Sequence, residues 1–507
     1  MNDLQITDMQ DNVHQIRDQY IASSSSEVYM GASIQFVLWL FNNHPNLVTD
    51  FLRRQLAPLQ LKERKIFIKQ TISNANADEP PFNFTEITVE LFVQFLLTLR
   101  KPDGTRHKIT TFNRHRSALK NLFVRFRYLE SQLFKTEINI YFRGLKRDVA
   151  KRTANGEISI QEGKDPFSFQ LYSSICKGFL QNSHKSENSF AHLFTILSWN
   201  LICRASNTVS ICLEHINWNA DAMIIAFAQS KNDQLGDSKF DRHIYANPVN
   251  PAICPVLSMA VYFVLFPRRL NSENQLFPGN SQYERYRKCL SRLFGTTNGK
   301  RFLSEAGKQE KDLGTHSIRK GASTYVSSGS TACPSASAIR IRGGWKQGGC
   351  MDRYIKYDDA GDQHVGRTIT GLPVNNVDFA ILPPFFTSIN SEIDKIIEET
   401  FVNLPDNLNL LKYFMFASLV HHYEFLKNHL NSNHPLFLTP LFQVSRLHER
   451  FKILVECRGP KPNDHINPTG IPPHISLLND FHIVANKLDR LIPEVKNIAA
   501  NTVDGLS

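Results

Sequence analysis

The sequence predicts a mainly helical, multidomain protein with one small antiparallel sheet. Three observations lead there. A chain of 507 residues is longer than one hydrophobic core serves, and ordinary domain sizes give two or three compact units. Hydrophobic residues make up 42%, with 36 Phe and no long low-complexity tract, which is enough apolar material to fill those cores. Apolar residues recur mostly at helical spacing, and only two short stretches, 223–228 and 242–245, read as extended.

Taken in order, residues 1–150 read as a helical domain. Residues 31–41 are strongly apolar, residues 89–99 are amphipathic, and residues 110–128 carry a basic face. In that last segment Arg114, Arg116, Lys120, Arg125 and Arg127 alternate with Phe112, Leu119, Leu122, Phe123 and Phe126. A helix there buries the aromatics and turns its cations outward, toward a phosphate backbone or simply toward water. From residue 142 the chain becomes polar and basic, and residues 151–164 read as an interdomain linker. Residues 165–384 form a second unit: helices to residue 201, two strands flanking a polar turn at 230–238, then helices from Cys254 and from His316. Residues 385–507 read as a helical extension, with helices at 393–404, 410–430 and 475–492 separated by Pro-rich turns.

The formal charge is +11 and the pI near 9.2. Both fit a polyanionic partner, because Lys and Arg gain affinity for nucleic acid by releasing condensed counterions. The eight cysteines are scattered without a CxxC pair and read as reduced, buried thiols of an intracellular protein. The longest apolar stretch, 252–266, is broken by Pro255 and is too short to span a bilayer, so no membrane partner is expected. No secretory signal is evident at the polar N-terminus. His421, His422, His429 and His434 lack acidic or Cys partners at ligand spacing, so no metal is assigned to them.

One segment carries chemistry. Gly314-Thr-His316-Ser-Ile-Arg319 contains an HxxR pattern, which on a helix sets an imidazole and a guanidinium one turn apart. The pattern alone means little, since His14-Gln-Ile-Arg17 repeats it and receives no role here. Its company raises the signal. Upstream lie Trp199-Asn-Leu-Ile-Cys-Arg204-Ala-Ser-Asn207 and then Lys231 in the polar turn. Downstream lie Gly343-Gly344-Trp345 and, nine residues later, Tyr354 in Asp352-Arg-Tyr354-Ile-Lys-Tyr357.

This order of Arg, Lys, His-x-x-Arg, Trp and Tyr resembles the tyrosine recombinase (phage integrase) family. Residues 165–373 look like its catalytic domain, and residues 1–150 are similar to its core-binding domain. Residues 314–373, with Gly-Asp-Gln-His-Val-Gly-Arg after the tyrosine, resemble integrases of eukaryotic mobile elements of the Crypton type. The resemblance implies that Arg204 and Arg319 clamp a DNA phosphate, since guanidinium bonds two oxygens at once and stays charged. It implies Tyr354 as nucleophile with His316 easing its deprotonation, and Lys231 as general acid for the leaving 5′-oxygen. Trp345 stands where many relatives carry histidine, and its indole orients and packs but cannot shuttle protons.

Religation of a phosphotyrosine needs neither metal nor nucleotide, so no cofactor is expected. The implied partners are double-stranded DNA and three further copies in a tetramer, and the implied compartment is the nucleus. Two departures stand out: Asn207 lies where relatives often carry an acid, and Tyr357, three residues on at a spacing that shares a helical face with Tyr354, is a rival nucleophile, although the interval from Trp345 favours Tyr354. Two other functions compete with recombination, a type IB topoisomerase with the same chemistry and a domesticated DNA-binding protein without catalysis.

Overall fold

The computed structural model describes residues 23–76, 78–102, 104–157, 163–227, 241–266, 274–346, 350–459 and 466–504. The chain divides into two compact units, Met1–Glu162 and Gly163–Ser507. It is mainly helical with small antiparallel sheets.

The first unit contains α1 (Ser23–Asn43), α2 (Asp50–Leu56), α3 (Leu61–Asn74), α4 (Val89–Thr98), α5 (Ile109–Arg125) and α6 (Gln132–Ala154). Its core is aromatic: Phe36 meets Phe92 edge-on at 5.4 Å and Phe82 at 5.7 Å, with Leu40, Leu96, Leu119 and Leu122 buried beside them. Such edge-to-face pairs add directional attraction to burial. Side-chain caps set two boundaries, Thr88 accepting from the Leu91 N–H and Ser131 from the Phe134 N–H. Helix α6 runs to Ala154, held by buried Ile138 and Phe142, so the basic residues from Arg143 to Arg152 are helical.

The second unit opens with α7 (Phe169–Gln181), α8 (Ser186–Asn200), α9 (Ala205–Val209), β1 (Ile216–Asn219), β2 (Ala222–Ala226) and β3 (Asp241–Tyr245). It continues with α10 (Pro255–Leu265), α11 (Gln282–Gly295), α12 (Thr297–Glu305), α13 (Thr315–Ser328), α14 (Ala336–Arg342), α15 (Met351–Tyr354) and α16 (Asp359–Ile369). Then come β4 (Phe385–Phe386), α17 (Ser391–Thr400), α18 (Asn409–His421), α19 (Tyr423–His429), α20 (Pro440–Gln443), α21 (Leu447–Lys452), β5 (Val455–Glu456) and α22 (Pro473–Asp504). Helices α8 and α10 are buried nearly all round, which marks them as the centre of the unit.

The three strands pair antiparallel in the order β1-β2-β3, with Trp218 opposite Met223 and Ile224 opposite His243. The sequence shows β2 and β3 but not β1, whose four residues are too few for a period-2 pattern to stand out. Helix α16 lies on β3 at Gly366, where a Cβ would come within 2.4 Å of the His243 carbonyl oxygen. That contact brings the segment carrying Tyr354 back to the sheet.

Residues beyond 385 share the core of the preceding residues. Ile393, Leu411, Met415, Leu419 and Phe451 belong to the same buried cluster as Ile196, Leu257 and Ile318, and Trp218 of β1 stacks on Phe414 at 3.9 Å. Thr469 adds a polar lock: its hydroxyl lies 2.7 Å from the Asp221 carboxylate and 2.6 Å from the Tyr245 hydroxyl. Buried Arg367 bonds both Asp221 and the Thr469 carbonyl. Four cysteines are buried, Cys176, Cys203, Cys254 and Cys289, but Cys350 is exposed, contrary to the reading of all eight as buried thiols. It precedes the short α15, whose Met351 and Tyr354 are exposed. Among the described residues no helix is long and apolar enough to cross a membrane.

Candidate active site

Arg204 sits in the turn between α8 and α9, at the position that caps α9. The turn is strained. Ile202, fully buried, has φ of 47°, a left-handed conformation that branched side chains rarely adopt. Such strain costs on the order of 1–3 kcal/mol and persists only where neighbours enforce it. Here the Cys203 thiol lies 3.1 Å from the Thr208 hydroxyl, and that hydroxyl lies 2.8 Å from the hydroxyl of Ser198. These contacts tie both sides of the turn together and fix where Arg204 starts. Asn207 is buried in the first turn of α9, where its amide oxygen accepts from Ser206 at 3.4 Å.

Arg319 lies one turn into α13. The helix start is set by Ser317, whose hydroxyl accepts from the Gly314 N–H at 3.0 Å. Arg319 is 8% exposed, its guanidinium stacks on the Trp345 ring at 4.8 Å, and it donates to the Gly343 carbonyl. Burial lowers its pKa to about 10, and the neighbouring Arg204 charge adds to the shift. A guanidinium at that pKa is still a cation at neutral pH. Among the described residues no carboxylate pairs with Arg204 or Arg319. Two guanidinium charges close enough to repel, neither paired with a carboxylate among the described residues, are electrostatically suited to an anion.

A third arginine, unforeseen from sequence, joins them. Arg242 on β3 is buried, stacks on Phe227 at 4.6 Å and donates to the Arg342 carbonyl at 3.2 Å. Burial lowers its pKa to about 10, with the Asp362 carboxylate opposing the shift. Behind it lies a closed network. Arg342 Nη1 donates to Asp362 at 2.6 Å, Arg342 Nη2 to the His243 carbonyl at 2.8 Å, and the His243 N–H to Asp362 at 2.8 Å. Burial pushes the Asp362 carboxyl up, but Arg342 and His243 together outweigh it and hold it below its ordinary value. Arg342 and Asp362 flank residues 343–361, so this network fixes both ends of the segment that carries Trp345 and Tyr354.

His316 is exposed in the first turn of α13, at the edge of an open cleft of about 730 Å³. Lys164, Arg287, Lys288 and Lys311 also line that cleft, with Glu284 and Glu310. Sequence reading missed this basic cleft because its residues come from four separate elements.

Tyr354 ends the four-residue α15 and is 75% exposed. Tyr357 does not share its helical face, as the spacing suggested, because the helix stops at Tyr354. The Tyr357 hydroxyl instead donates to the Asp241 carbonyl at 2.8 Å, and burial followed by the Asp362 charge raises its pKa. Lys231 lies outside the described residues, as do His14 and Arg17. The structure thus gathers Arg204, Arg319 and Trp345, sets His316 one turn from Arg319, and leaves Tyr354 on the surface.

Four of the five candidate DNA-binding cations lie on α5 and Arg127 follows two residues beyond its end, and the five fall into two groups. Arg116 donates to Asn139 at 2.7 Å and stacks on Phe142 at 5.0 Å, and Arg125 donates to the Ser73 carbonyl at 3.1 Å. Arg114, Lys120 and Arg127 are exposed.

No protein-family model matches the chain, and no curated protein matches it. Solved structures similar to it include one described as an FLP recombinase–Holliday junction complex, at 11% identity and TM-score 0.33, covering 60% of this chain and 78% of that one. Another is XerH site-specific recombinase bound to a difH substrate before cleavage, at 12% identity and TM-score 0.35, covering 65% and 92%. A third is a Flpe–Holliday junction complex, at 10% identity and TM-score 0.34, covering 79% and 98%.

Proposed function

We propose that this chain is a site-specific DNA recombinase of the tyrosine recombinase kind, acting for a mobile element. The observation that carries the reading is the pair Arg204 and Arg319, close enough that the charge of one depresses the pKa of the other and paired with no carboxylate among the described residues. A phosphodiester is the anion whose chemistry needs such a pair. Its nonbridging oxygens gain charge during in-line attack, and fixed guanidinium donors stabilise that charge without reorganising.

In this reading the Tyr354 oxygen attacks phosphorus and the bond to the 5′-oxygen breaks. The phenolic proton leaves toward His316, and Lys231 protonates the departing 5′-oxygen to give the free 5′-hydroxyl. Trp345 holds the Arg319 plane in place through stacking. Attack by a new 5′-hydroxyl reverses the steps, so phosphodiester energy is conserved and no nucleotide is consumed. Residues 1–150 grip duplex DNA through Arg114, Lys120 and Arg127, with Arg116 and Arg125 fixing the helix. Residues 165–384 perform catalysis, residues 385–507 complete the core and support assembly, and four copies act together on two duplexes. Nuclear residence belongs to the same reading, through the resemblance to eukaryotic elements.

The exposed position of Tyr354 favours one second reading, a DNA-binding protein that no longer cleaves. A suicide substrate carrying element ends separates the two. Wild type should give a covalent protein–DNA band on a denaturing gel, undiminished in EDTA, that is absent in Tyr354→Phe and retained in Tyr357→Phe. Binding of the substrate without any band would establish the second reading.

A further inference from the structure

The last helix presents an apolar seam that the second unit leaves uncovered. Leu477, Phe481, Val484, Leu488, Leu491 and Val495 follow one another at intervals of four and three residues along α22, each 51–70% exposed. That alternation is the 3.5-residue period by which two helices wind together. The helix is secured at its first turn. Ile475 is buried with Leu372, Phe379 and Ala380, and His474 Nε2 lies 2.9 Å from the Val374 carbonyl oxygen. Single exposed apolar side chains are ordinary, but six on one line are the mark of an interaction surface.

The charges beside the seam fit a second copy of the same helix. With Phe481, Leu488 and Val495 at one core position of the repeat and Leu477, Val484 and Leu491 at the other, one flank carries Asp480, Lys487 and Glu494 and the other carries Ala485 and Ile492. In a parallel, in-register pair each charged flank faces the neutral flank of the second helix, so no like charges meet. In an antiparallel pair that covers the whole seam, Lys487 would face its own copy and Asp480 would face Glu494. Pro493 lies on the side opposite the seam, so it does not enter the contact.

We infer that α22 is a self-association helix whose partner is α22 of a second copy of this chain, parallel and in register. This does not depend on the recombinase reading, and the test uses full-length protein without DNA. By sedimentation at micromolar concentration the wild type should run as a dimer or larger. The double variant Val484→Asp/Leu488→Asp should fall at least twofold in mass to a monomer that still melts cooperatively, because both side chains are half exposed in the fold. In a Cys350→Ser background, Leu491→Cys should form a disulfide-linked dimer under oxidation. A monomeric wild type, or an oligomer that survives the double aspartate, would overturn the inference. Cross-linking that needs Phe481→Cys together with Leu491→Cys would overturn the parallel arrangement.

Discussion

The arginine pocket and the segment carrying Tyr354 belong to the same unit yet are positioned by opposite means. Arg204 is fixed by a strained buried turn, Arg242 by a sheet strand backed by a closed Arg342–Asp362–His243 network, and Arg319 by the Trp345 ring and the Gly343 carbonyl. Tyr354 ends a single helical turn and stands mostly in solvent. In the proposed recombinase reading, the charge clamp is built by the core, whereas the nucleophile is left for bound DNA or a neighbouring copy to seat. A preformed clamp avoids reorganising donors during the reaction.

That contrast is open to direct attack, beginning with stability. Asp362→Ala leaves Arg342 buried without its partner and should cost about 3–5 kcal/mol, read from denaturant midpoints. Tyr354→Phe should stay within about 0.5 kcal/mol of wild type in the same experiment. Equal losses would show that the two regions are not held differently. The acid limb sharpens the point. Because Asp362 titrates below its ordinary value when folded, its contribution is present above about pH 4 and is lost as pH falls through the folded value. Asp362→Asn should flatten that limb.

The next largest effect concerns the clamp itself. Arg319→Lys keeps the charge but loses the fork and the stacking on Trp345, and should slow cleavage by about 10²–10³-fold with DNA binding nearly intact. Equal activity would mean that the pocket supplies charge alone. Trp345→Ala removes only the platform under Arg319 and should slow cleavage by roughly 10-fold, the order of a partly desolvated cation–π contact. The smallest effect belongs to the first unit. Arg114→Ala and Lys120→Ala should each lower the salt slope of DNA binding by about 0.9. Arg116→Ala, whose side chain already engages Asn139 and Phe142, should instead reduce stability.

Much of this arrangement was legible beforehand, for identifiable reasons. Helix α5 could be read because its aromatics recur at helical spacing, and β2 and β3 because apolar runs flank a polar turn. Arg204, His316, Arg319 and Trp345 stood out by residue type and order. Arg242 did not, since an arginine in Asp241-Arg-His243 looks like a surface residue until β3 is placed against α16. Asp362 and Arg367 were visible within Gly-Asp-Gln-His-Val-Gly-Arg, yet their partners Arg342 and Asp221 are set by tertiary contact that no local pattern encodes. The helices after residue 385 were recognisable by period, but their burial in the core of the preceding residues was not. The helical face expected to join Tyr354 and Tyr357 does not form for a local reason: the helix ends at Tyr354.

The most direct test of the central claim is to digest the trapped complex with nuclease and trypsin and to locate the nucleotide adduct by mass spectrometry. Cleavage after Lys356 separates Tyr354 from Tyr357, so the two peptides report independently. The account predicts a 3′-nucleotide on the peptide Tyr354-Ile-Lys356 and none on the peptide beginning at Tyr357. An adduct on Tyr357 or elsewhere, or none from protein that binds the substrate, would contradict it.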